Sequence, residues 1–206
     1  MRLVIDGNEV RLDSSTPETL GAVVAEAGRL AAARGRVAHR IEVDGREIST
    51  REEREMSARP AAELGLVRVQ TTTPAALLRE ALDGALDLSA AIRRDAKEVS
   101  SSLRSGDVPS AKSLYVSCIE SLGTFFQLAG AVFNGVRSGA FPLPVAADGE
   151  KEELPGPPGS TAVILQRLLA AQKEEDWRRM ADLLDREVTP NLEEWSAFFS
   201  AMRGRG

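Results

Sequence analysis

The residues able to do chemistry are few. His39 is the single histidine and Cys118 the single cysteine in 206 residues. A His/Cys metal site or a Cys–His nucleophile pair therefore has no second member, and an intramolecular disulfide is excluded. Cys118 falls on an apolar helical seam, where a cysteine acts as a small hydrophobe. The carboxylates Asp176, Asp182, Asp185 and Glu187 do cluster. Arg178, Arg179 and Arg186 are interleaved with them at helical spacing, the pattern of a solvated face carrying ion pairs one turn apart. No dinucleotide-binding glycine pattern, phosphate-binding loop or G-x-S-x-G nucleophile turn occurs. Catalysis is not expected, nor is a cofactor, a metal or a small-molecule substrate; an unrecognised site between two domains is the remaining enzymatic alternative.

Binding chemistry has more support. Aromatic residues are only 4% of the chain, yet most fall in its later part: Phe125, Phe126, Phe133, Trp177, Trp195, Phe198 and Phe199. Adjacent pairs such as Phe125–Phe126 and Phe198–Phe199 point about 100° apart on a helix, so both members cannot face one narrow seam. Phe125, Phe126, Phe133, Trp195, Phe198 and Phe199 are therefore candidate partner-binding residues. They would line a groove for an amphipathic helix of a client or of a second copy of the chain. The alternative is that they fill a helical core.

The elements that must position these residues follow from periodicity. Pro109 to Val136 contains only Lys112 and Glu120 as charges, and Ala111, Tyr115, Cys118, Leu122, Phe125, Ala129, Val132 and Val136 recur at steps of four and three, a helical seam. Leu114, Ile119, Phe126, Leu128 and Phe133 lie off that seam and are also apolar, so the helix should be covered on more than one side. Before it, Thr73 caps a helix with Pro74 at its first position, and Leu78, Leu82, Ala85, Ser89, Ile92, Ala96, Val99 and Leu103 repeat the same period. Ser105-Gly106-Asp107 is too short a break for anything but an antiparallel return. Each helix should be on the order of 40 Å long.

Residues 137–159 are rich in proline and glycine and read as a long exposed connection, a purely structural crossover between two helical pairs or else a segment whose prolines and Phe141 dock on a partner or fold back over the bundle. Ser160 then caps a third helix running to about Lys173. A fourth carries Trp177, Ala181, Leu184, Val188, Leu192, Trp195, Phe199 and Met202, with Pro190 predicting a kink or a fresh start capped by Thr189. Residues 72–206 are thus expected to form an antiparallel four-helix bundle.

Residues 1–71 read as a separate small domain. Met1–Ile5 and Glu9–Leu12 are strand candidates around Asp6-Gly7-Asn8. Thr16 and Pro17 open a helix through Leu20, Val23, Val24, Ala27 and Leu30 toward Gly35. Arg36–Val43 and Arg46–Ile48 flank Asp44-Gly45, Ser49–Ala58 reads as loop, Pro60–Leu64 as one helical turn, and Leu66–Gln70 as a closing strand. The fold class is α+β. This β-β-α-β-β-β order resembles the β-grasp or ubiquitin-like fold. The last strand runs on into Thr71-Thr72-Thr73-Pro74, unlike the free Gly-Gly tail of the conjugated modifiers.

Composition narrows the rest. The net charge of −5 arises from interspersed signs, which gives no nucleic-acid surface. No signal sequence is read at the N-terminus, and the uncharged run from Ser121 to Val136 is shorter than the ~18 residues of a membrane span. The single cysteine suits a reducing compartment, so a cytoplasmic protein of bacterial style is expected, with no membrane partner.

Thr73-Pro74-Ala-Ala-Leu77-Leu78-Arg-Glu-Ala81-Leu82-Asp83-Gly84-Ala85-Leu86 resembles the opening helix of the flagellar secretion chaperones, which hold flagellin before export. Gly106-Asp107 and the late aromatic Trp195 extend the likeness within residues 72–203. Ala76 and Leu82 stand where that family carries an acidic residue and a tyrosine, and the β-grasp-like domain and the long loop have no counterpart there. The resemblance implies a helical bundle that grips helical segments of a client, in flagellar secretion or elsewhere. The resulting expectation is a non-enzymatic adaptor or chaperone-like protein; the alternative is a structural homo-oligomer, a dimer through the bundle.

Overall fold

A computed structural model of the chain describes residues 1–11, 18–141 and 161–204. The chain is α+β and divides into two compact units, Met1–Leu77 and Leu78–Gly206.

The first unit is a five-stranded mixed sheet with one main helix. Its strands are β1 (Arg2–Ile5), β2 (Asn8–Val10), β3 (Val37–Val43), β4 (Arg46–Ile48) and β5 (Leu66–Thr72), arranged β2-β1-β5-β3-β4. β1 and β5 run parallel and the other neighbours antiparallel. The two hairpins turn on Asp6-Gly7 and Asp44-Gly45, where both central residues have positive φ, 49° and 82° in one and 52° and 86° in the other. That backbone matches the natural twist of a hairpin and explains the aspartate-glycine pairs. Asn8 belongs to β2 rather than to the turn. Asp44 also ties the hairpin to the central strand, its Oδ1 accepting from the N–H groups of Gly65 at 2.9 Å and Leu66 at 2.8 Å.

Helix α1 (Leu20–Ala32) contributes Leu20, Val23 and Ala27 to a core shared with Leu3, Ile5, Ile41, Val43, Val67 and Val69. The Thr16–Pro17 opening lies outside the described residues. The helix begins at Leu20, capped by Thr19, whose Oγ1 accepts from the Ala22 N–H at 3.3 Å. The segment read as loop is in fact helical over α2 (Thr50–Met56). Ser49 and Glu52 form a capping box in which each side chain accepts from the other's backbone N–H, and these two bonds offset the cost of starting so short a helix. The α2 helix buries none of its residues, which is why hydrophobic periodicity gave no sign of it.

The second unit is helical: α3 (Pro74–Ser105), α4 (Val108–Arg137), α5 (Thr161–Lys173), α6 (Trp177–Leu183) and α7 (Thr189–Arg203). Gly106, at φ 82°, and Asp107, whose carboxylate accepts from the Ser110 N–H at 3.2 Å, turn α3 into α4. All seam residues of α3 are buried, and so are those of α4 from Ala111 to Val132. Polar ties fix α3 against α6 and α7 in antiparallel register. Asp83 meets Arg203 at 2.8 Å, Ser89 shares a hydrogen bond with Ser196 at 2.8 Å, Arg93 meets Glu193 at 3.3 Å, and Arg104 reaches Asp182 at 3.1 Å. Ser100 donates to Asp185 at 2.8 Å.

Pro190 falls in the first turn of a fresh helix, α7, but Thr189 is not its cap. Between α6 and α7 the backbone passes through one wide π-helical turn, Leu184–Val188. Thr189 is itself helical, at φ −61° and ψ −49°, with its N–H reaching back to the Leu184 carbonyl. A proline cannot donate to the carbonyl four residues back and needs room for its ring. The widened turn supplies that room while Leu184, Val188 and Leu192 all stay buried.

Candidate functional site

The six aromatic candidates separate into two groups. Phe125, Trp195, Phe198 and Phe199 are buried, and they do not line an open groove. Edge-to-face contacts join Phe125 to Trp195 at 6.1 Å and to Phe199 at 6.0 Å, and Trp195 to Phe198 at 5.8 Å. The Trp195 indole N–H donates to Thr161 Oγ1 at 3.1 Å. The seam pairs with an equally aromatic stretch of α7, so these rings are consumed inside the unit. Only Phe126 and Phe133 remain half-buried, at the margin of this core. Phe141 folds back: its ring lies over Gly135, where a Cβ would collide with it, and its N–H donates to the Gly135 carbonyl at 3.0 Å.

The α4 helix is apolar beyond its buried seam, and its remaining hydrophobics Leu114, Ile119, Phe126, Leu128, Phe133 and Val136 pack half-buried against the same core. By length and composition it is the one helix among the described residues long and apolar enough to cross a membrane, with a mean hydropathy of 1.4 over its most apolar window and only 28% of that window buried. The helix as a whole thus meets a criterion that the uncharged run alone does not. Its outer face is formed by Ser113, Val116, Ser117, Glu120, Gly123, Thr124, Gln127, Ala131 and Asn134, all exposed. One carboxylate, Glu120, is the only charge among them. Small side chains of this kind let another helix approach closely.

A cavity of about 300 Å³ opens where the start of α4 meets the α5–α6 connection. Val99, Leu103, Val116 and Met180 supply apolar walls, and Lys112, Tyr115, Gln172, Glu175 and Trp177 supply polar or aromatic ones. Tyr115 donates to Gln172 Oε1 at 3.3 Å, and burial, with the neighbouring Cys118 sulfur, pushes its pKa up to about 12. The Lys112 ammonium sits 4.8 Å above the Trp177 ring and 3.9 Å from Glu175. None of these residues was singled out for binding from sequence. The available signal was that the chain's only tyrosine lies one turn from Lys112 on an otherwise apolar helix.

The remaining chemical candidates are accounted for. Burial, with repulsion from Asp95, raises the Cys118 thiol to about 11, so it stays protonated at neutral pH. Asp182 and Asp185 are engaged by Arg104 of α3, and Glu187 by Arg167 of α5 at 3.0 Å. His39 lies in β3 where the ladder shifts register between Ala38 and Arg40.

Fold and site together define a class: a small mixed sheet followed by an antiparallel helical unit with a cavity at the start of α4. Residues 80–198 match the family described as Domain of unknown function (DUF8042), and the chain belongs to that family. The match spans most of the helical unit and none of the sheet. No curated protein and no solved structure matches the chain.

Proposed function

We propose that the chain is a non-enzymatic adaptor or chaperone-like protein that receives a helical segment of a client along the outer face of α4. One observation carries this reading: the face of α4 from Ser113 to Asn134 is exposed, small-sided and carries a single charge, Glu120, beside the half-buried Phe126 and Phe133. A partner helix lying against that face would cover Val116, 58% exposed, and the remaining surface of Phe126 and Phe133, a gain of about 25 cal/mol per Å² of apolar surface. The groove is then the small-residue face from Ser113 to Asn134, flanked by Phe126 and Phe133, and the other four aromatic residues hold its floor rigid. In this reading the first unit is a β-grasp domain, since β5 lies between β1 and β3. The second is a four-helix bundle with α6, the π turn and α7 as its fourth member. A cytoplasmic setting and a role linked to flagellar secretion follow from the composition and from the 73–86 resemblance.

The test is site-specific photocrosslinking in cells, with the photoreactive residue at Thr124 or Gln127 and, as control, at Glu98 of α3. A client captured from α4 but not from α3, and mapping to a helical segment of another protein, is the expected result. Crosslinks only to a second copy of the chain favour the homo-oligomer, and their absence overturns both.

A further inference from the structure

The cavity at the start of α4 has a composition that its structural role does not require. At about 300 Å³ it stands at the small end of ligand pockets. It is apolar inside and carries one opposite pair at its rim: Lys112 Nζ and Glu175 Oε1 lie 3.9 Å apart, within Coulomb reach but beyond hydrogen-bond length. The Trp177 face holds the ammonium in place at 4.8 Å.

Glu175 is the telling residue. It closes α5 in the left-handed region at φ 52°, its N–H bonded to the Gln172 carbonyl at 3.2 Å and the next N–H, of Asp176, to the Ala171 carbonyl at 3.0 Å. This helix-ending geometry ordinarily selects glycine, because any Cβ is strained there. The chain keeps a carboxylate at that cost, and the carboxylate stands on the cavity rim. Strain of this kind concentrates at binding sites.

We propose that the cavity binds a small zwitterion with an apolar body, of the class of apolar α-amino acids, its carboxylate on Lys112 and its ammonium on Glu175. The body enters among Val99, Leu103, Val116 and Met180. Tyr115, neutral across the physiological range, offers a hydroxyl beside the Gln172 amide. The inference does not depend on the α4 outer face receiving a client.

The test is calorimetric titration of the full chain with L-phenylalanine and L-leucine, beside 3-phenylpropionate, which has only the anion, and phenethylamine, which has only the cation. Trp177 fluorescence in a Trp195→Phe background gives an independent signal. Saturable binding of at least one amino acid is expected, with phenylalanine or leucine at least about fivefold tighter than either half-charged analogue, the scale of one partly exposed charge pair. Lys112→Gln should erase the advantage over phenethylamine. Glu175→Gly should erase the advantage over phenylpropionate while raising the midpoint of thermal unfolding, because glycine relieves the left-handed backbone. Val116→Trp, 58% exposed at the mouth, should block entry and leave the helical circular dichroism unchanged. No saturable binding at millimolar amino acid, equal affinity for all four probes, or full binding by Val116→Trp would overturn the proposal.

Discussion

At the residue scale, two carboxylates of the sheet unit are tuned by folding. The Thr71 hydroxyl, then the Thr71 N–H, then the Arg36 charge hold Asp6 below its ordinary value, with Thr71 Oγ1 at 2.6 Å and Arg36 at 3.6 Å. The Ser49 N–H, Arg46 and the Ser49 hydroxyl bring Glu52 down to about 2. A carboxylate depressed by folding contributes stability that is complete above its unfolded value and is lost as pH falls toward the folded one. The denaturation midpoint of the sheet unit, followed by amide exchange in β1 and β5, should therefore hold level at neutral pH and decline from about pH 5 downward. Asp6→Asn should flatten that decline. Cys118 gives a second prediction: with its thiol at about 11 and the side chain buried, a thiol-reactive dye should label the native protein at pH 8 only as fast as it unfolds. Prompt stoichiometric labelling would show that the seam opens.

At the element scale, short-range chemistry decides where hydrophobic pattern has nothing to say. The α2 helix exists because Ser49 and Glu52 satisfy each other's backbone, so Ser49→Ala should cost about 1 kcal/mol. Loss of amide protection confined to residues 50–56 would register it. The S-x-x-E spacing was present in the sequence, but α2 has no apolar face to draw attention to it. The π turn before Pro190 has the opposite history. The proline announced an irregularity, while its form depended on keeping Leu184, Val188 and Leu192 in one core. The α3–α4 hairpin needed neither kind of context, because two matched seams and Gly106-Asp107 leave one arrangement.

At the scale of the whole molecule, the aromatic residues show how packing redistributes roles. Phe125 contacts Phe126, Trp195 and Phe199 and is fully buried. Phe125→Ala should accordingly cost about 3–5 kcal/mol, measured by guanidinium denaturation with Trp195 fluorescence as the probe. A loss below about 1 kcal/mol would mean the cluster is loosely held. The large apolar side chains of α4 are therefore drawn toward the unit's own core, and its outer face is left to small and polar residues with Val116.

Local pattern was enough for the α+β class, for the aspartate-glycine hairpins and for both long helical seams, because turn chemistry and the 3.6-residue period act over a few neighbouring residues. The parallel pairing of β1 with β5 and the antiparallel ties between α3 and α7 join residues far apart in the chain, and so does the burial of Phe198 and Phe199. Only the tertiary structure decided these, since whether a ring faces solvent or core depends on what another segment brings against it. The cavity at Lys112, Tyr115, Glu175 and Trp177 is of the same kind: its members lie some sixty residues apart, and only the return of α5 alongside α4 makes them neighbours.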